Sequence, residues 1–288
     1  MKGIFVFIFT LLLFNVSFAQ TKTDKKLQKQ IEVLIKGFHG QIGIYIKNLK
    51  TKRVVTINSD SVFPTASMVK IPILIGVMDK MAKGELRYDQ EFIYKDSLLY
   101  EGVDILGSFK TNEKIELGKI MMLMLTMSDN TASLWLQTLA GTGKRINEIL
   151  DSIGFSKTRV NSRTPGREEY RQLYGWGQTT PKEMAGLLEE IYIQKIISKT
   201  ASIQMMRLLG RNYWADQALS GVPPTVQTFS KNGAVDASRS EVVLVNAPAG
   251  AYVFCICTKN NMDESWQPEN EAWDLTRKLS SVLWDHFK

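Results

Sequence analysis

The pattern of apolar and polar positions divides this chain into β-rich ends and a helical middle. Residues 22–37 (KTDKKLQKQIEVLIKG) carry apolar positions at helical spacing and stop at Gly37, which predicts an amphipathic helix. QIGIYIKNL and KRVVTINS then alternate on either side of a short polar turn, the signature of a β-hairpin. From about Pro64 to Asn212 the period becomes helical, with runs at 67–82, 115–127, 131–140, 143–152, 181–194 and 199–209. After Pro223-Pro224 strands return as TVQTFS, SEVVLVNA and AYVFCICT, and an amphipathic helix is predicted from Trp266 to Phe287.

Strands at the two ends of a chain, separated by a long helical insert, pair most simply in one antiparallel sheet. The first and last helices would cover one face and the helical block the other. The expected architecture is therefore a two-lobed α/β (α+β) fold with an inserted all-helical lobe. The α/β lobe comprises approximately residues 20–63 and 213–288, and the helical lobe approximately 64–212. A cleft where lobes meet is the usual home of a small-molecule site.

The first residues stand apart from this pattern. Lys2 precedes an apolar run from Ile4 to Phe14, and Ser17-Phe18-Ala19 supplies small residues two apart, as in a secretory signal peptide cleaved after Ala19. The run is short against the about 20 apolar residues of a membrane span, and no cysteine near the cut offers a lipid attachment point. The mature chain would begin at Gln20 and hold 288 − 19 = 269 residues, periplasmic or secreted, with no membrane anchor after cleavage. The formal charge of +7 falls to +6 with the loss of Lys2. The basic residues are scattered and form no stripe with aromatics, so a nucleic-acid partner is not expected.

Cysteine and histidine narrow the chemistry. Cys255 and Cys257 are two apart in an apolar strand, roughly 6.5–7 Å between Cα atoms with parallel Cβ vectors, which is poor disulfide geometry. The only histidines, His39 and His286, lie in no motif-like setting. Neither a zinc cluster nor a Ser-His-Asp triad is provided for, and hydrolysis here would need a lysine or carboxylate base, with no metal or cofactor.

Three segments carry such chemistry. In FPTASMVKIPIL, Ser67 and Lys70 stand three apart at a helix start, so that a desolvated amine could take the hydroxyl proton; a cap with a solvated lysine fits the same residues. In MMLMLTMSDNTASLWL, Ser128, Asp129 and Asn130 break a helical pattern. They could offer a proton-shuttling hydroxyl, a loop anchor and a substrate-facing amide, or act simply as breakers. In VQTFSKNGAVDASRS, Lys231 would be a fixed cation and Gly233 a point of close backbone approach, although Asn232-Gly233 also reads as a hairpin turn. Arg239 could add a second cation.

As an ordered set, serine-x-x-lysine, Ser-Asp-Asn and Lys-x-Gly resemble class A β-lactamases within the penicillin-recognising serine acyl-enzyme superfamily. The resemblance extends from about residue 41 to the terminal helix and includes QTTP and Ser238-Arg239. It implies that Ser67 is acylated and that Lys70 takes its proton. Ser128 would pass a proton to the leaving nitrogen, and Asn130 would hold the substrate amide. Lys231 and Arg239 would bind its carboxylate, and the Ser67 and Ala234 N–H groups would form the oxyanion hole.

Two departures stand out. Asn232 replaces the usual threonine or serine, and the loop VNSRTPGREEYRQLYGWGQTTP puts Thr164 at the gapless place of the family's water-activating glutamate. Glu168 and Glu169 follow closely and are the candidates for that role, or else a solvated charge pair. The expected function is a β-lactamase-like serine hydrolase, monomeric, acting on a β-lactam. The alternatives are a D,D-peptidase or esterase that takes a peptidoglycan-like peptide, and a non-hydrolysing β-lactam sensor.

Overall fold

The computed structural model describes residues 22–288, so the expected signal peptide lies outside the described residues. The Asp24 side chain accepts from the Leu27 N–H and opens helix α1 (Lys25–Leu34), which buries Leu27 and Ile31. Strands β1 (Gln41–Asn48) and β2 (Val54–Ile57) form the expected hairpin. After β3 (Phe63–Pro64), a 3-10 turn over Ala66–Val69 leads into α2 (Lys70–Ala82).

The helical part continues through the small pair β4 (Glu91–Ile93) and β5 (Lys114–Glu116) into α3 (Leu117–Met122), then α4 (Asn130–Leu139) and α5 (Thr142–Ser152). It closes with β6 (Arg159–Val160), α6 (Glu168–Tyr174), β7 (Gly177–Thr179), α7 (Pro181–Tyr192) and α8 (Lys199–Leu209). Strands β8 (Thr228–Val235), β9 (Ser238–Val245) and β10 (Tyr252–Lys259) and helix α9 (Glu271–Phe287) complete the described chain.

The main sheet has the order β2-β1-β10-β9-β8, antiparallel throughout, so the first and last strands of the chain meet at its centre. Alternation along the strands sorts its two faces. Ile44, Ile46, Val243, Val245, Phe254 and Ile256 pack with Leu27 and Ile31 of α1 and Leu279 and Leu283 of α9. Tyr45, Val242, Leu244, Val253, Cys255 and Cys257 join a larger cluster with α2, α4 and α7. Each Leu or Ile fully buried here contributes about 2 kcal/mol relative to exposure. This is the two-lobed α/β arrangement expected, with terminal helices on one face and the helical part on the other.

Local differences from the sequence reading have local causes. The run expected as one helix at 115–127 is split between β5, α3 and a π-helical turn over Leu123–Met127. The last helix starts at Glu271, not Trp266, because the Asn270 side chain accepts from the Ala272 and Trp273 N–H groups and caps it there. Helix α6 occupies a stretch that carried no periodic apolar signal, and all its residues are exposed or only half-buried. Cys255 and Cys257 are free and buried with their sulfurs 3.6 Å apart, far beyond the roughly 2.05 Å of a disulfide.

Candidate active site

Ser67 sits in the 3-10 turn immediately ahead of α2, preceded by Ala66 at φ +42°, a backbone conformation that side chains rarely tolerate. The turn is pressed against β8. A Cβ on Gly233 would lie 2.6 Å from the Thr65 carbonyl oxygen and 2.7 Å from the Ser67 nitrogen, so only glycine allows the strand to pass this close. The Ser240 hydroxyl on β9 donates to the Pro64 carbonyl at 3.2 Å and ties the same turn to the sheet. Strand β8 thus ends the sheet directly beside Ser67, with the Gly233 backbone against the Ser67 nitrogen and Ala234 next along the strand.

One helical step on, Lys70 is wholly buried, and its Nζ lies 2.8 Å from Ser67 Oγ. The same nitrogen donates to the Ser128 carbonyl at 2.7 Å, to Ser128 Oγ at 3.1 Å and to Asn130 Oδ1 at 3.0 Å. Burial holds the Lys70 pKa well below the ordinary lysine value, Lys231 adds like-charge repulsion, and Asp129 partly opposes both. An amine of that kind can be neutral at working pH and accept the serine proton.

The Ser-Asp-Asn segment is held by its own middle residue. Asp129 is fully buried; its Oδ2 accepts from the Ile105 and Leu106 N–H groups at 2.6 and 2.8 Å, and its Oδ1 accepts from Ala132 at 2.7 Å, capping α4. Ser128 comes straight after the π-helical turn with φ +63°. Turns of this kind recur at functional sites because they break the regular ladder. The loop over residues 99–106 closes over the same corner: the Asn130 N–H donates to the Val103 carbonyl at 2.8 Å, and the Tyr100 ring meets Trp176 edge-on at 5.0 Å. Sequence reasoning missed this loop, whose place depends on contacts that no local periodicity encodes.

Lys231 on β8 is also wholly buried, its Nζ donating to the Asn232 carbonyl at 2.8 Å and to Asn232 Oδ1 at 3.1 Å. Burial lowers its pKa to about 7, with Glu241 opposing the shift. The amide that replaces the usual hydroxyl is therefore itself a partner of the cation.

Arg239 is not brought to this group. Its guanidinium donates to the carbonyls of Asp236, Ser238, Glu264 and Ser265 at 2.7, 2.9, 3.2 and 2.9 Å, and it lies 4.7 and 4.8 Å from the ring centres of Trp266 and Trp273. The reason is strand alternation: Arg239 shares a face with Val243, which packs toward α9, whereas Lys231 pairs with Val242 on the opposite face.

Neither Glu168 nor Glu169 is brought to it. Both are exposed in the first turn of α6, and Glu168 Oε1 accepts from the Gly166 N–H at 3.1 Å. The residue that turns inward there is Arg167, bonded to Asn161 Oδ1 at 2.7 Å and to Gln178 Oε1 at 2.8 Å. Thr164 is buried and donates to the Ser162 carbonyl at 2.9 Å. The hydrogen-bond partners of Lys70 are hydroxyl, carbonyl and amide oxygens only.

The family model described as Beta-lactamase enzyme family matches residues 26–287. The chain belongs to that family. Among its relatives, the β-lactamase VEB-1 of Pseudomonas aeruginosa is 24% identical, with 96% of this chain and 95% of that protein covered. A β-lactamase of Bacteroides uniformis is 21% identical over 99% of both chains. Among solved structures, PBP-A superposes with a TM-score of 0.81 at 23% identity, covering 92% of this chain and 97% of its own. An ancestral class A β-lactamase gives 0.79 at 19% identity, covering 91% and 100%. The fold of this family member is that of class A β-lactamases and of PBP-A, and the family acts on small-molecule substrates.

Proposed function

We propose that this β-lactamase-family chain opens β-lactam amides through an acyl-Ser67 intermediate, acting as an exported monomer on a small-molecule substrate. The observation that carries this reading is the Lys70 Nζ, buried and 2.8 Å from Ser67 Oγ. Lys70 takes the hydroxyl proton as Ser67 Oγ attacks the ring carbonyl, and the N–H groups of Ser67 and Ala234 receive the developing oxyanion. Fixed donors of that kind supply about 3–4 kcal/mol of transition-state stabilisation. Ser128, hydrogen-bonded to the same amine, passes the proton on to the leaving nitrogen, while Asn130 and Lys231 hold the substrate amide and its anionic group.

Release of the acyl group is where this chain departs from an efficient lactamase. With Glu168 and Glu169 exposed on α6, and no carboxylate among the hydrogen-bond partners of Lys70 in the described residues, neither acid is placed to activate water, which favours a long-lived acyl-enzyme. That observation supports a second reading, a penicillin-acylated D,D-peptidase or esterase. A PBP-A mutant solved as an acyl-enzyme complex with penicillin G has the same fold, with a TM-score of 0.81.

Intact mass of the protein with excess benzylpenicillin, followed over time beside Ser67→Ala, separates these readings. A parent adduct that forms and persists supports the peptidase-like reading. An adduct that clears as penicillin is consumed supports turnover, and the Glu168→Gln and Glu169→Gln variants then report whether either acid drives it. No adduct on the parent overturns acylation of Ser67.

A further inference from the structure

The π-helical turn before Ser128 leaves carbonyl groups that its own helix does not take up. The Asp129 N–H reaches back to the Leu123 carbonyl at 3.1 Å, while the Thr126 and Met127 carbonyls face the segment between α8 and β8. There the Tyr213 N–H donates to the Thr126 carbonyl at 3.1 Å, and the Trp214 indole Nε1–H donates to the Met127 carbonyl at 3.0 Å. The same segment is anchored to the sheet: the Trp214 N–H donates to Asn212 Oδ1 at 3.2 Å, and Asn212 Nδ2 donates to Ser230 Oγ at 2.9 Å. Ser230 immediately precedes Lys231. Residues 212–214 therefore join the Ser128 wall of the site to its Lys231 wall.

The Met127 carbonyl belongs to the peptide plane that leads into Ser128. Holding that plane holds Ser128 at φ +63°, a conformation that an L-residue leaves when nothing enforces it. In this conformation the Ser128 carbonyl and hydroxyl both meet Lys70, at 2.7 and 3.1 Å.

We propose that Trp214 is a positioning residue for proton delivery, its indole N–H fixing Ser128 so that the hydroxyl protonates the leaving nitrogen. The inference rests on the acyl-Ser67 reading. When the ring opens, the Ser67 Oγ–carbon bond forms, the carbon–nitrogen bond breaks with its electron pair on nitrogen, and the Ser67 proton travels through Lys70 and Ser128 to that nitrogen. An amide nitrogen needs this proton, whereas p-nitrophenolate leaves as a stable anion. A defect in positioning Ser128 must therefore fall on β-lactams and spare p-nitrophenyl esters.

The test compares acylation of the parent, Trp214→Phe, Asn212→Ala and Ser128→Ala by benzylpenicillin and by p-nitrophenyl acetate. Trp214→Phe keeps an aromatic side chain but removes the N–H together with the five-membered ring that carries it, and the ester serves as the control for the lost volume. Asn212→Ala cuts the anchor at a half-buried position without touching the core, and so serves if the first variant is poorly folded. Both are expected to slow acylation by penicillin at least tenfold at unchanged dissociation constant, part of the roughly 10²–10⁴-fold that a positioned proton donor supplies. Acylation by the ester should stay at the parent rate in Trp214→Phe and Asn212→Ala, and Ser128→Ala sets the scale of the penicillin loss when the donor hydroxyl itself is gone. Equal losses on both donors, or no loss on penicillin, overturn the inference while leaving acylation of Ser67 intact. A parent that forms no Ser67 adduct with either donor overturns the underlying reading, and the inference with it.

Discussion

Lys70 Nζ and Ser67 Oγ lie 2.8 Å apart inside a site where the lysine has no exposed surface. The three-residue spacing at the start of α2 brings the pair together, and Ser128 and Asn130 hold the amine in place from the far side of the site. The electrostatics of the pair depend on the surroundings too, because burial and the neighbouring Lys231 hold the amine well below its ordinary pKa. Lys70→Ala is expected to slow acylation of Ser67 by roughly 10²–10⁴-fold, the usual yield of a positioned base. On the proposed mechanism, acylation of the parent needs neutral Lys70, which is favoured as pH rises, and charged Lys231, which is lost above about 7. The acylation rate constant per penicillin concentration should therefore fall on the alkaline side of neutrality, while that for an uncharged ester should not. Stopped-flow acylation across pH 5–9 reads both limbs.

The close approach of β8 to Ser67 makes a second prediction. A methyl group at Gly233 would meet the backbone of Thr65 and Ser67 at 2.6 and 2.7 Å, and backbone cannot swing aside as a side chain can. Gly233→Ala should displace the Ser67 turn, lower stability by about 1–3 kcal/mol as overpacking does, and reduce acylation far more than that loss of fold accounts for. Thermal unfolding and acylation measured on the same preparation separate the two effects.

Arg239 is where strand alternation overrules motif resemblance. Its guanidinium satisfies four carbonyls and rests on two indoles, holding the segment before α9 against the sheet. Arg239→Gln should cost about 1–3 kcal/mol through lost packing on the two indoles and the unpaired buried Ser238 carbonyl, and should leave the dissociation constant for penicillin nearly unchanged. A large loss of penicillin affinity without loss of stability would restore Arg239 to the substrate.

Legibility in the sequence followed the range of the interaction. Ser67 and Lys70 were readable because helical spacing alone brings them together, and Ser128 to Asn130 because they interrupt a helix. Lys231 was readable from its strand and from Gly233, whose missing side chain the structure requires. The face of the sheet on which Arg239 lies was implicit in period two but invisible until Val243 was known to pack toward α9. Glu168 and Glu169 were misleading because a short helix, α6, re-sets the direction of the loop and carries no apolar periodicity of its own. Trp214 left no trace at all, since its partner carbonyl lies 87 residues earlier in the chain.

The last prediction concerns the acid behind the strand pair. Glu241 faces α9, buried, with Oε2 accepting from the Ala218 N–H at 3.0 Å and Oε1 without a partner. Burial raises its pKa to about 7, against the lowering effects of that N–H and of Lys231. The folded state therefore binds more protons than the unfolded chain between about 4.5 and 7, and stability falls as pH rises through that window. Lys231 acts in a different window: its folded pKa, lowered to about 7, lets stability rise as pH goes from about 7 toward its unfolded value of 10.5. Replacing Glu241 by Gln keeps an acceptor for Ala218 and removes the charge. Glu241→Gln should match the parent near pH 4.5 and become more stable than it by up to about 3 kcal/mol by pH 8, since each pKa unit is worth about 1.4 kcal/mol. Denaturant titrations of both proteins at pH 4.5, 6 and 8 measure that divergence. A constant difference across the three would mean that the Glu241 carboxyl keeps the same charge in the folded and unfolded chains.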